Sequence, residues 1–341
     1  MTAVDFCCAP DASASYGGSG DWECGPSCRL DASGCDDNAV GAAGCVSCLA
    51  AEPRHALSGS RDGSVKVWDL AAAGRCCLTL GRYGDEVLSA CSCGEARNLA
   101  ACACYSGIIR VWDISAATDV TAAAAAGPGA GSGAGGARAT AAQSNGHNGG
   151  GGGVAFLEGH QGPVVSLSSS YDGRLLCSAS ADGTARLWDL RGSQRRCVRL
   201  LQHKGTVWSA CLDGRGGTSV TGCADGAVRV WDVGSGRCSS ELRGHEESAV
   251  TAQVDSAGAA ALSLGWDKAQ SSGGCSIRLW DLSQGQQARE HLPSRDWACR
   301  GKVLHLGASG DLSRVVAVVD TRHDQGEGQL GAQYELRVWA M

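Results

Sequence analysis

Short runs in which apolar and polar residues alternate recur along the chain at a nearly constant interval. They read Val65-Lys66-Val67-Trp68-Asp69, Ile109-Arg110-Val111-Trp112-Asp113, Ala185-Arg186-Leu187-Trp188-Asp189, Val228-Arg229-Val230-Trp231-Asp232, Ile277-Arg278-Leu279-Trp280-Asp281 and Leu336-Arg337-Val338-Trp339-Ala340. A period of two is that of a strand with one buried face, so each run predicts a half-buried β-strand. The residue two before the tryptophan is basic every time. Upstream of three runs stand Arg61-Asp62-Gly63, Ala181-Asp182-Gly183 and Ala224-Asp225-Gly226. An Asp-Gly pair suits a tight hairpin turn, and a further strand precedes each turn. The pattern predicts four strands in every repeat of roughly 40–45 residues.

Successive tryptophans of these runs stand 44, 76, 43, 49 and 59 residues apart. The excess in the second interval falls in residues 115–153, where Ala122–Gly153 holds 23 Ala or Gly in 32 residues. That composition predicts a disordered, solvated insertion between two repeats. The last two intervals imply hairpin insertions, Lys268–Gly274 and Thr321–Tyr334.

With five intact Trp-Asp endings, the chain resembles the WD-repeat β-propeller family over nearly its whole length. The resemblance implies an all-β fold, one propeller domain over residues 1–341 built of four-stranded antiparallel blades. Once the insertions are set aside, the length suits seven units of about 41 residues better than six of about 48. In the seven-bladed reading the first blade is degenerate. Ala3-Val4-Asp5-Phe6 resembles an inner strand, and Cys28-Arg29-Leu30-Asp31 an ending without its tryptophan. The sequence stops two residues after Trp339, so the last blade is expected to lack its outer strand, as in a fragment. The six-bladed alternative has Cys28–Leu30 supplying that strand.

The family ties its blades with a hydrogen-bonded set of His, Ser or Thr, Asp and Trp. The resemblance implies three such sets here: His160, Ser178, Asp182 and Trp188; His203, Thr221, Asp225 and Trp231; His245, Ser263, Asp267 and Trp280. The first repeat keeps Ser58, Asp62 and Trp68. The second has Tyr83, Cys102 and Ser106 at the matching positions and is expected to be looser. Read as hydrolase triads these groups make little sense, because catalysis does not recur at a fold period. Gly131-Ser132-Gly133-Ala134-Gly135-Gly136 fits a dinucleotide-binding pattern but lies in the Ala/Gly tract, without the strand and helix that motif needs. No cofactor is implied, and the chain reads as non-enzymatic.

Charge adds one exclusion. The 29 basic and 35 acidic residues are well mixed and sum to −6, which supports neither a nucleic-acid nor a membrane partner. Met1–Pro10 contains Asp5 and no basic residue, unlike a secretory signal, so a cytoplasmic or nuclear location is expected. Twenty cysteines then need a reduced-state explanation. Cys76, Cys197 and Cys238 open outer strands, Cys91 and Cys211 fall in inner strands, and Cys102, Cys104, Cys177 and Cys223 in second strands; all are expected to be small core residues. Cys24, Cys28, Cys45 and Cys48 have spacing that also suits zinc.

The loops that enter inner strands and those that join second to third strands share one face of a propeller. On that face fall Arg61, Tyr105, Trp208 and Trp266, residue types that anchor protein interfaces. The expected function is a protein-interaction scaffold or adaptor that binds a peptide or partner protein there, within a multiprotein complex. Packing between blades is the other reading of Trp208. A second functional reading rests on Trp188 to Arg191. Trp188-Asp189-Leu190-Arg191 resembles the box by which some family members contact the damage-specific DNA-binding adaptor of cullin-type ubiquitin ligases, with Asp189 and Arg191 as contacts.

Overall fold

The structure, a computed structural model, describes residues 6–7, 22–23, 29–30, 46–51, 55–69, 75–82, 84–94, 98–114, 154–192, 195–266, 275–283, 289–290, 302–309, 311–312, 314–320 and 334–340. The described residues form strands and no helix. Three two-residue strands come first: β1 (Phe6–Cys7), β2 (Trp22–Glu23) and β3 (Arg29–Leu30). The first blade is β4 (Val46–Ala51), β5 (His55–Ser60), β6 (Ser64–Asp69) and β7 (Arg75–Arg82). The second is β8 (Val87–Cys93), β9 (Leu99–Cys104), β10 (Ile109–Asp113) and β11 (Ala155–Leu157). The third is β12 (Val164–Ser169), β13 (Leu175–Ser180), β14 (Thr184–Asp189) and β15 (Arg196–Gln202). The fourth is β16 (Val207–Leu212), β17 (Thr218–Cys223), β18 (Ala227–Asp232) and β19 (Arg237–Arg243). The fifth is β20 (Ser248–Val254), β21 (Ala260–Trp266), β22 (Cys275–Asp281) and β23 (Arg289–Glu290). A sixth sheet holds β24 (Lys302–Ala308), β25 (Arg314–Asp320) and β26 (Tyr334–Ala340). Each is an antiparallel meander in chain order, as hairpins of this length require.

The second and third strands of the blades are buried on both sides, where the alternation suggested one, while the outer strands β15 and β19 are mostly exposed. On β14, Trp188 packs into a cluster with Val164, Leu167 and Ile109, whereas Leu187 packs into another with Leu201, Val207 and Ala210. Each sheet is pressed between two neighbours, so odd and even residues face different blades. Even the basic residue before the tryptophan is drawn in, with Arg110 7% and Arg229 5% exposed. Serines on the inner strands stitch the blades together. Ser89 Oγ accepts the Leu167 N–H at 3.1 Å, Ser166 Oγ the Ala210 N–H at 3.5 Å, and Ser209 Oγ the Ala252 N–H at 3.1 Å.

Only three short strands of the chain start are described. Phe6–Cys7 pairs along the edge of the first sheet, with Phe6 opposite Leu49 and Cys7 opposite Cys48. Arg29–Leu30 pairs with Trp22–Glu23 and not with β26, so it does not complete the sixth sheet as the six-bladed alternative required. A local hairpin closes a far shorter loop than a pairing across some 300 residues, which favours it entropically. The 115–153 tract, Cys24, Cys28, Cys45, Tyr83 and Asp267 lie outside the described residues.

Candidate functional site

In the third blade a single serine connects the buried set. Trp188 Nε1–H donates to Ser178 Oγ at 2.9 Å, and Ser178 Oγ lies 2.8 Å from His160 Nε2. The other imidazole nitrogen, Nδ1, is 2.8 Å from Asp182 Oδ2. The fourth blade repeats the first half, with Trp231 Nε1–H on Thr221 Oγ1 at 2.9 Å and His203 Nε2 at 2.8 Å from it. In the fifth, Trp280 Nε1–H meets Ser263 Oγ at 2.8 Å and His245 Nε2 is 2.7 Å away. The first blade keeps Trp68 Nε1–H on Ser58 Oγ at 2.8 Å. These groups satisfy one another inside the core, as buried polar atoms must.

The aspartate is where the blades diverge, and the fourth blade departs from the implied set. There His203 Nδ1 turns to the Leu201 carbonyl at 3.1 Å, while Asp225 pairs with Arg229 at 2.5 Å. The cause is the residue four before the tryptophan. Thr184 donates its hydroxyl to Asp182 Oδ1 at 2.6 Å and fixes that carboxylate beside His160, with the Gln161 N–H at 2.9 Å on Oδ2. Ala227 holds the same place in the fourth blade and offers no hydroxyl, so Asp225 swings to the guanidinium. In the fifth blade that place is Ser276, whose Oγ lies 3.0 Å from His245 Nδ1.

Burial favours the neutral imidazole in both described cases. It lowers His160 below its usual range against the pull of Asp182, and it brings His203 down to about 4 with the nearby Arg229 charge acting in the same direction. Burial opposes ionisation of Asp182, but the Thr184 hydroxyl, the Gln161 N–H and His160 outweigh it and hold it at about 2. A histidine depressed in the folded state stabilises the fold fully above its unfolded value and loses that contribution as pH falls toward the folded value. Unfolding by urea is therefore expected to need less denaturant between pH 6.5 and 4. The His203 share, discounted for a partly exposed ring, is about 2 kcal/mol. A His203→Gln chain should show a flatter profile across that interval, and an equally steep one would remove His203 as the cause.

The second blade builds its core from sulfur. Cys102 and Cys104, both fully buried on one face of β9, have sulfurs 3.9 Å apart. Arg110 Nη1 donates to Cys104 Sγ and lies 3.5 Å from Asp85 Oδ2. The Ser106 hydroxyl and N–H bind the two Asp85 oxygens at 2.5 and 3.2 Å. The Cys102 thiol, against burial and with help from Arg110, lowers the Cys104 thiol below its ordinary value. The outer-strand cysteines are a correction to the sequence reading: Cys197 and Cys238 are exposed and Cys76 half-buried, because each stands opposite the tryptophan at a bulge on the ring's outer edge. Cys211 is also half-buried, while Cys91, Cys177 and Cys223 are core residues. Among the described residues no three donors are grouped to hold a metal ion.

Turns after second strands and loops before inner strands meet at one end of the blades. Tyr105 N–H bonds Glu86 O, Ala181 N–H bonds Pro163 O, Ala224 N–H bonds Thr206 O, and Glu247 N–H bonds Trp266 O. Tyr105, in the turn after β9, is 60% exposed, Trp266, the last residue of β21, is 37% exposed, and Arg61 reaches from its turn to Glu86 at 3.0 Å. Trp208 is half-buried, at the bulge between Val207 and Ser209. At the other end of the third blade, Arg191 is exposed but its guanidinium forks onto Asp189, with Nη2 2.6 Å from Oδ2. That fork holds Asp189 at about 2.

Repeated four-stranded meanders joined by a buried Trp–Ser/Thr–His link define a β-propeller of WD repeats. Residues 40–69, 152–189 and 195–232 match the family model described as WD domain, G-beta repeat, and the chain is a WD-repeat protein. It is 46% identical over 54 residues to WD repeat-containing protein 18 of Bos taurus, a match covering 16% of this chain and 12% of that one. Against the target of rapamycin complex subunit LST8 of Saccharomyces cerevisiae it is 26% identical over 188 residues, 55% of this chain and 56% of the other. Each match thus spans under two thirds of the relative's own length. Among solved structures, the computationally designed Ika8 protein superposes with a TM-score of 0.55 at 19% identity, over 80% of this chain and 67% of that one. WD-repeat proteins are generally non-enzymatic scaffolds.

Proposed function

We propose that the chain is a non-enzymatic interaction scaffold that holds a peptide or partner protein on the face carrying Arg61, Tyr105, Trp208 and Trp266. The observation that carries this reading is the exposure of Tyr105 and Trp266 at the same end of the second strands of two blades. The backbone that carries these rings is tied to hydrogen-bonded strands, so little backbone ordering is needed when a partner covers them. The names of two relatives, a subunit of the target of rapamycin complex and Elongator complex protein 2, place those proteins in assemblies and support a role of the same kind here. Trp266→Ala is expected to weaken partner capture by roughly 10- to 100-fold, the usual loss at an interface anchor, with the melting curve unchanged. Quantitative affinity purification of the full chain measures this; equal recovery by both chains would discard the site.

The ubiquitin-ligase reading stands on the exposed side chain of Arg191. Its fork to Asp189 must open or be shared for an adaptor to use it, which makes it the weaker of the two. Co-purification of the damage-specific DNA-binding adaptor, abolished by Arg191→Ala, is its expected sign; no recovery with the unaltered chain sinks it.

A further inference from the structure

We propose that the outer edge of β15 is a docking site for an extended acidic peptide of a partner protein, which pairs with the strand backbone and sets its carboxylates against Arg196 and Arg199. Neither Tyr105 nor Trp266 belongs to this blade. Residues 190–212 hold Arg191, Arg195, Arg196, Arg199 and Lys204 and no Asp or Glu, in a chain whose net charge is −6. Among the described residues β15 pairs with β14 alone, so a row of its backbone N–H and C=O groups faces outward.

A bulge shapes this edge. Arg196 stands opposite Asp189 and Arg199 opposite Leu187, with Val198 as the extra residue. Asp189 and Leu187 are two apart on β14, so the two arginines, three apart in sequence, share one face of the sheet. Both are exposed. Neither is ion-paired among the described residues; Arg199 donates to the carbonyl oxygens of Val198, at 2.8 Å, and of Gly234. Asp189, the carboxylate opposite Arg196, is already held in the Arg191 fork. On the other face Leu200 stands opposite Arg186 and is 51% exposed.

Charge selects the occupant. In an added strand the residues opposite Arg196 and Arg199 have Cβ atoms about 4.5–5.5 Å away, so carboxylates there meet the guanidinium groups, and apolar residues between them cover Leu200. Backbone hydrogen bonds supply affinity and side chains supply selection, as in strand addition generally. A second copy of this chain would set arginine against arginine. A nucleic-acid strand would find charge here but no aromatic ring on β15 to stack on. The next blade contains the comparison. β19 has the same bulge and Arg237 at the Arg196 position, but Ser240 and Glu241 stand where β15 has Arg199 and Leu200. Glu241 pairs there with Arg243 and lies 3.5 Å from Arg229, so that edge carries its own carboxylate.

The test titrates the full chain with a labelled peptide of alternating glutamate and valine, as long as the seven-residue β15, and reads fluorescence anisotropy and amide hydrogen exchange. A lysine–valine peptide and a short oligothymidylate are the competing probes. The acidic peptide is expected to bind, to slow exchange of the β15 amides, and to bind less tightly as salt is raised. Arg199→Ser and Leu200→Glu each install the residue that β19 carries at that position, so both are expected to fold, with circular dichroism as the check. Each should weaken binding by roughly threefold or more, the size of an exposed charge pair lost or opposed. If one variant misfolds, the other carries the comparison, and the exchange footprint on the unaltered chain stands without either. Equal affinity for the unaltered and folded variant chains, protection confined to amides outside β15, or no binding by the unaltered chain overturns the proposal. Tighter binding of the lysine–valine peptide or of oligothymidylate overturns it as well.

Discussion

Replacing Ser178 by alanine is expected to lower the stability of the ring by about 2–4 kcal/mol, from one oxygen atom. Ser178 is fully buried and stands between Trp188 Nε1–H and His160 Nε2. Alanine leaves both groups in the core without that partner, and each orphaned buried polar group costs about 1–3 kcal/mol. Ser178→Thr is the matching control. The fourth blade carries Thr221 at this position with the same two contacts, so the hydroxyl is kept and the loss should stay near or below about 1 kcal/mol. Urea titrations of the three chains measure both values. Similar losses for alanine and threonine would mean that packing, and not the hydrogen bonds, makes the site sensitive.

Gly226→Ala is expected to cost about 3 kcal/mol or more, through the backbone alone. Gly226 has φ +75° in the turn of the fourth blade, and a Cβ there would stand 2.5 Å from the His245 carbonyl oxygen. The left-handed conformation accounts for roughly 1–2 kcal/mol. The rest comes from forcing apart a turn and the loop that enters the next blade, where the close approach is backbone on backbone. Gly192 separates the two contributions. It has φ +74°, and a Cβ added there would meet nothing within 4 Å, so Gly192→Ala should show the conformational cost only. Urea titrations of the two variants beside the unaltered chain measure the difference. Equal losses at both positions would remove blade-to-blade contact from the explanation. The same approach recurs at Gly63 and Gly107, each at positive φ with an added Cβ 2.9 Å from the following loop's backbone.

How far the candidate site could be read in advance varies by residue. The grouping of His160, Ser178 and Trp188 came from the family resemblance, and in the structure Ser178 Oγ contacts both the His160 ring and the Trp188 N–H. Asp225 could not be placed by the same resemblance. Its choice of Arg229 over His203 follows from a missing hydroxyl at Ala227, and the identical position in the third blade, Thr184, holds that signal in the sequence. Arg110 was legible only as one of a row of polar positions. Its ion pair with Asp85 and its contact with Cys104 arise because a neighbouring blade closes over it, which no local pattern encodes. The exposed placement of Cys197 and Cys238 was missed for a related reason: the bulge opposite the tryptophan turns the start of the outer strand toward solvent.

By itself the sequence determined the class of fold, through the two-residue period, the Asp-Gly turns and the Trp-Asp endings. These are local constraints, set by strand geometry and turn conformation, and they repeat too often to be chance. Only the tertiary structure decided which side chains are exposed at the turns and which polar groups are paired inside. It also decided where the first residues pair and how two thiols and a guanidinium came to share one buried face. Some of those outcomes depend on contacts between blades, where the residues that meet are 40 or more positions apart, as Ser209 and Ala252 are, and others on which of several nearby polar partners a side chain takes, as Asp225 takes Arg229.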